Sequence, residues 1–220
     1  MKKIFPIILS LLISTALISQ ETSIDPDAKA SLDRIKDKYN SLDEFRVDFE
    51  LTIDFPEQPA EVQKGTILRK GKAFRMDGEM QTVISDGKTV WVYLSDMDEI
   101  QIMDANDETM ASMLDPETFL SEFIEGQFSY GITFEGAENG ITSVQHIEFK
   151  PLDRNSEYAK LRLKINKNDN SLISLQTFQR DGSRYGINFG ILDTSPLIPP
   201  GSFTFDKSKY PDAHIEDLRM

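Results

Sequence analysis

The sequence predicts a mainly β protein whose sheet curls into a barrel or partial barrel, with short helices closing its mouth over an apolar interior. Three observations carry this. Apolar and polar residues alternate with period two in run after run, as in strands that bury one face. Asn- and Gly-bearing turn signals separate the runs. Helical periodicity is confined to two segments, too little to cover a flat sheet of ten to twelve strands. A barrel of that width is too wide to plug with its own side chains, and apolar voids stay dry or take apolar ligands. A packed two-sheet sandwich is the alternative the same pattern leaves open.

Taken in order, Met1-Lys2-Lys3 followed by an apolar stretch from Ile4 to Ile18 reads as a secretory signal peptide over residues 1–19. The stretch is short for a membrane span, so an uncleaved anchor is the weaker reading. Residues 20–220 form a single domain. A helix is expected from Asp27 to Tyr39, with Ala28, Leu32, Ile35 and Tyr39 on one face. Phe45, Val47, Phe49, Leu51, Ile53 and Phe55 then alternate with polar residues, the clearest strand of the chain. Phe74 and Met76 repeat the pattern, and Thr82–Tyr93 is a hairpin around Asp86-Gly87, read as a two-residue turn. It carries the single tryptophan, Trp91. The second helical segment, Asn106–Glu125, restarts at Asp115-Pro116, an N-cap followed by a first-turn proline. Further strands follow at Phe128/Tyr130/Ile132/Phe134, Ile147/Phe149, Leu161/Leu163/Ile165, Ile187/Phe189/Ile191 and Phe203/Phe205.

Composition removes several function classes. The net charge of −13 becomes −15 once Lys2 and Lys3 leave with the signal, which disfavours nucleic acid and anionic membrane surfaces. Without cysteine the chain has neither disulfides nor a site for lipid attachment at a cysteine. The two histidines, His146 and His214, are far apart and read as solvated surface residues. Asp104–Glu108 lacks the glycine and distal glutamate of a calcium loop and is better read as helix capping. With no nucleophile–base pair, phosphate loop or metal pattern, no catalytic residue, metal or cofactor is expected, and the chain is read as a non-enzyme.

The hairpin, with an apolar strand, Ser85-Asp86-Gly87-Lys88 and then Trp91-Val92-Tyr93, closely resembles the signature hairpin of the outer-membrane lipoprotein carrier protein (LolA) family. Flanking pieces occur in the family's order: Phe45 and Phe49, Gly65-Thr66-Ile67, the basic pair Arg69-Lys70 before Phe74-Arg75-Met76, Pro116 before Phe119-Leu120, and Phe203-Thr204-Phe205. The resemblance implies an incomplete, strongly curved antiparallel half-barrel, with an N-terminal helix and a helical lid over an apolar cavity. It implies a periplasmic chaperone, a monomer, that takes the acyl chains of lipoproteins from an inner-membrane lipoprotein-releasing transporter to an outer-membrane acceptor where one is present. Candidate cavity and lid residues are Phe74, Met76, Trp91, Met110, Met113, Leu114, Phe119, Leu120, Phe123 and Leu175, with Met80 and Met103 as further flexible lining. Lys70-Gly71 stands where the family often has the Arg-Pro of its lid latch, so the resemblance places the latch at Lys70 or at the adjacent Arg69, and Met76 stands where the family has Trp. Rival readings are a periplasmic binder of fatty acid or glycolipid and a lipoprotein-sensing adaptor.

Overall fold

The computed structural model describes residues 24–105 and 128–219, so the expected signal peptide and the second helical segment lie outside them. The described chain contains α1 (Pro26–Ser41) and β1 (Glu44–Asp54), β2 (Glu61–Lys70), β3 (Ala73–Gly78), β4 (Gln81–Ser85), β5 (Thr89–Leu94), β6 (Glu99–Asp104), β7 (Phe128–Glu138), β8 (Ile141–Pro151), β9 (Tyr158–Asn166), β10 (Ser171–Gln179), β11 (Arg184–Phe189) and β12 (His214–Asp217). The strands form one open, curled sheet of twelve in the order β12-β6-β5-β4-β3-β2-β1-β11-β10-β9-β8-β7. Among the described residues there is no second sheet, which removes the sandwich alternative. Neighbours are antiparallel except β12, which runs parallel to β6.

Local chemistry explains the elements. Asp25 caps α1, its carboxylate accepting from the N–H groups of Asp27 (2.9 Å) and Ala28 (3.4 Å), with Pro26 at the first turn. The same carboxylate accepts from Ile132 N–H at 3.1 Å, and Asp25 N–H donates to Tyr130 O at 3.0 Å. The cap therefore also fastens the helix to β7, and the Ile132 N–H holds the Asp25 carboxyl below its usual range. Ala28, Leu32, Ile35 and Tyr39 bury against Phe45, Val47, Tyr130, Ile147, Phe149, Leu161, Leu163, Ile165 and Leu175. Asn139 and Gly140 both adopt positive φ (50° and 82°) at the β7–β8 turn, as a tight hairpin demands.

Some of the strand and turn expectations need correction. The turn at Asp86-Gly87 is wider than two residues: Ser85 pairs with Val90, only Gly87 has positive φ (88°), and Asp86 Oδ1 closes the loop on the N–H groups of Lys88 and Thr89, each at 2.8 Å. Phe134 does not stay in line with Tyr130 and Ile132; an irregularity after Ile132 turns it outward onto His146. Phe203 and Phe205 do not form a strand. They lie in a strap, residues 190–213, that follows β1 as far as Asp193 and then runs over the outer face of β3–β5, where Ser202 O accepts from Arg75 at 3.5 Å, before β12 docks on β6. Its fastenings are reciprocal backbone bonds between Asp193 and Arg46 (2.8 and 2.9 Å), Phe205 stacked on Trp91, and Tyr210 tilted against Tyr93.

The outer face of β7–β9 carries linked ion pairs. Glu148 accepts from Lys160 (2.8 Å) and Arg162 (3.1 Å), and Glu138 from Lys164 (2.5 Å) and from His146 (2.6 Å). His146 is thus a half-buried, hydrogen-bonded member of this network, not a solvated side chain. Burial pushes the Glu148 carboxyl up, but its two cations more than offset this; Lys164 chiefly lowers that of Glu138. Both stay ionised below the ordinary glutamate value of 4.5, so acid protonates the unfolded chain first. The urea midpoint is expected to hold above about pH 5 and to fall steadily as pH drops below 4.5, with a shallower fall in Glu148→Gln.

Candidate functional site

Strand pairing decides which side chains share the inner face. Met76, Val83 and Val92 stand in one cross-strand row, and Phe74, Ser85, Val90 and Met103 in the next. β2 places Ile67 beside Met76 and Arg69 beside Phe74. Val83, Val90 and Val92 are buried, with Phe74, Met76, Leu94, Met103 and Ala105 half-buried around them. The result is an apolar wall across β2–β6. The opposite half of the inner face, from β1 through β11 to β7, is filled by α1. Among the described residues no helix lies over the β2–β6 half.

One close fit shapes the wall. A Cβ at Gly65 would lie 2.3 Å from the Phe49 ring and 2.6 Å from the Asp77 carbonyl oxygen, so only glycine lets the ring lie across β2.

The structure brings some of the expected residues together and separates others. Phe74 and Met76 are neighbours on the wall. Leu175 lies on the same face but in the half filled by α1, 8 % exposed. Trp91 stands on the opposite face, paired across the sheet with Ile84 and Ile102, its ring 5.9 Å from and nearly parallel to that of Phe205. Met110, Met113, Leu114, Phe119, Leu120 and Phe123 lie outside the described residues. Of the two latch candidates, Arg69 is on the inner face, its Nε donating to Gly71 O (3.0 Å) and its guanidinium 5.9 Å from the Phe45 ring centroid. Lys70 faces outward and pairs with Glu44 at 3.3 Å.

Sequence reasoning missed Ile67, Val83, Val90, Val92 and Leu94 as lining. Alternation in Val90-Trp91-Val92-Tyr93 marks two faces, but both are apolar, and the signal does not say which one the strap covers.

Chemically the wall can hold hydrocarbon and little else. Among the described residues no group of three or more His, Asp or Glu side chains could hold a metal ion. A separate depression of about 210 Å³, lined by Thr52, Gln176, Arg184, Gly186 and Asn188, lies on the outer face and is polar, unsuited to an apolar guest.

Residues 40–206 match the family model described as outer membrane lipoprotein carrier protein LolA. The chain belongs to this family. Among curated relatives, the outer-membrane lipoprotein carrier protein of Neisseria gonorrhoeae is 27 % identical over 199 residues, spanning 88 % of this chain and 91 % of the relative. That of Neisseria meningitidis serogroup C is 28 % identical over 198 residues, with the same coverage. Among solved structures, an uncharacterized conserved protein from Thermus thermophilus shares the fold, with a TM-score of 0.57 at 14 % identity over 87 % of this chain and 99 % of the other. The LolA family consists of carriers, and the fold of this member is its open curled sheet with a helix on the inner side.

Proposed function

We propose that the chain is a periplasmic chaperone that takes up the acyl chains of lipoproteins against the inner wall of β2–β6 and carries them from the inner to the outer membrane. The observation that carries this reading is the wall itself: Phe74, Met76, Leu94 and Met103 are large apolar side chains left half-buried on a concave face of a carrier fold. Burial of methylenes is worth about 0.8 kcal/mol each, so a chain of about fifteen gains on the order of 12 kcal/mol over water. Release into water is negligible at that cost. Cargo therefore has to be loaded by an inner-membrane releasing transporter and unloaded by direct hand-off to an acceptor. Carriage makes and breaks no covalent bond, in keeping with a family of carriers. Residues 1–19 would export the chain and Arg69, already on the inner side, would be the latch cation. The test is transfer: membranes carrying a lipoprotein and its releasing transporter are incubated with the purified chain, and lipoprotein in the soluble fraction is measured. A stoichiometric soluble complex is expected; a lipoprotein that stays membrane-bound at saturating chain overturns the reading.

A further inference from the structure

The outer face of β9–β11 carries a hollow that no packing need accounts for. Thr52, Gly186 and Gln176 stand in one cross-strand row on this face, with Asn188 and Ser174 in the next row and Asp54 and Arg184 in the one before. Gly186 lies mid-strand in β11 without a positive φ, and a Cβ there would meet nothing within 4 Å. Glycine weakens a strand interior, and one that neither backbone nor packing requires marks a place where something approaches closely. Beside it β10 bulges. Leu172 pairs with Ile165 and Ser174 with Lys164, so Ile173 is an extra residue. Leu172 and Leu175 both pack into the core, which leaves Ile173 and Ser174 both facing out. The result is a hollow of about 210 Å³ at Gly186 and a smaller one of about 90 Å³ at Ile173, joined through Lys164, Ser174 and Asn188. The strap leaves this part of the face open, with Arg184 and Asn188 exposed.

The larger hollow is lined by groups left without partners. Among the described residues the side chains of Thr52, Asp54, Ser174, Gln176 and Asn188 make no hydrogen bond, although Ser174 is only 9 % exposed. Arg184 makes no hydrogen bond or ion pair there either; its guanidinium lies 6.0 Å from the Phe178 ring centroid, a contact that holds it in place. Lys164 is already paired with Glu138, and Asp54 faces Arg184 across the strands, so the hollow has no net charge. A phosphate would meet the Asp54 carboxylate and an ammonium the Arg184 guanidinium. Sugar hydroxyls both donate and accept, and planar amide, carboxylate and guanidinium groups can each grip two neighbouring hydroxyls. The larger hollow has room for one sugar ring. The smaller one adds Ile141, Val144 and Ile173, an apolar end that suits the methyl of an N-acetyl group and that a plain sugar leaves unfilled. We infer that this outer hollow binds a neutral, N-acetylated sugar chain. The site lies on the opposite face of the sheet from the acyl wall, so both ligands fit at once and neither depends on the other.

The test titrates the purified chain with chitotriose, a trimer of N-acetylglucosamine, and separately with maltotriose and inorganic phosphate, following assigned amide NMR shifts. Chitotriose is expected to saturate shifts around Ser174, Gln176, Gly186 and Asn188 with a Kd of about 1 mM or tighter, the scale of a few net hydrogen bonds. Maltotriose, which has no acetyl groups, is expected to bind at least about threefold more weakly, and phosphate not to saturate. Gly186→Val fills the hollow with a good strand former, and is expected to weaken chitotriose at least about tenfold while fatty-acid uptake and circular dichroism stay as in wild type. Asn188→Ala, at an exposed position, is expected to weaken it about threefold and covers the case in which Gly186→Val does not fold. Chitotriose that fails to saturate well above that concentration, or that binds a folded Gly186→Val chain as tightly as wild type, overturns the site. Equal affinity for maltotriose, or tighter binding of phosphate, overturns the ligand class. None of these outcomes touches the carrier reading, which fatty-acid uptake reports separately.

Discussion

Met76→Asp is expected to abolish acyl-chain uptake, lowering affinity for a fluorescent fatty acid by at least about 100-fold while circular dichroism still reports the folded sheet. Met76 lies mid-wall, between Ile67 on β2 and Val83 on β4, and is half-buried. A carboxylate there has to be desolvated when hydrocarbon arrives, and no described cation stands beside it in the row. Each tenfold loss corresponds to about 1.4 kcal/mol. Two such factors are a modest share of the roughly several kcal/mol that stripping water from an unpaired charge costs. The apo protein escapes most of that cost because the position keeps access to water. Met76→Leu, close in volume and equally apolar, is expected to bind within about threefold of wild type. Fatty-acid affinity that survives Met76→Asp in a folded protein would place the acyl site elsewhere.

Much of the scaffold was legible in the chain, for identifiable reasons. β1 and β9 announce themselves because one face is apolar and the other charged, so period two fixes both the strand and its orientation: Leu161, Leu163 and Ile165 are buried and Lys160, Arg162 and Lys164 face out. α1 was readable from the apolar face made by Ala28, Leu32, Ile35 and Tyr39, whereas its Asp25 cap and the buried Ser31 carried no periodic signal. The strap was not. Phe203 and Phe205 alternate like a strand, but Phe205 uses its ring on Trp91 rather than its backbone in a ladder, a contact across more than a hundred residues that no local pattern encodes. Ile191, which continues the alternation of Ile187 and Phe189, is 94 % exposed because one extra residue interrupts the pairing with β1 between Phe189 and Asp193 and Leu192 takes the inward place. The same long-range packing hid the facing of Trp91. A strand apolar on both sides is compatible with either assignment until the element covering one side is known.

Trp91→Ala separates the two faces of that strand by experiment. Phe205 lies over the indole with an interplanar angle of 9°, and Tyr210 continues the stack at 5.6 Å and 6° before meeting Tyr93 at 4.1 Å. Removing the indole takes away the floor of this stack, and with it the main apolar hold on the strap between Arg75 and β12. Complete burial of a tryptophan is worth about 3–5 kcal/mol against alanine, and for this half-buried ring about 2–4 kcal/mol is expected. In a domain of this size that lowers the thermal midpoint by roughly 5–15 °C. Amide exchange is expected to quicken in residues 202–219 first, since the strap loses its anchor while the inner wall of Val83, Val90 and Val92 keeps its contacts. Acyl-chain affinity per folded molecule should change by no more than a few-fold, unlike Met76→Asp. The opposite result, with stability preserved and affinity lost, would mean that the indole touches the ligand and that the face assigned here to the strap is the one that binds.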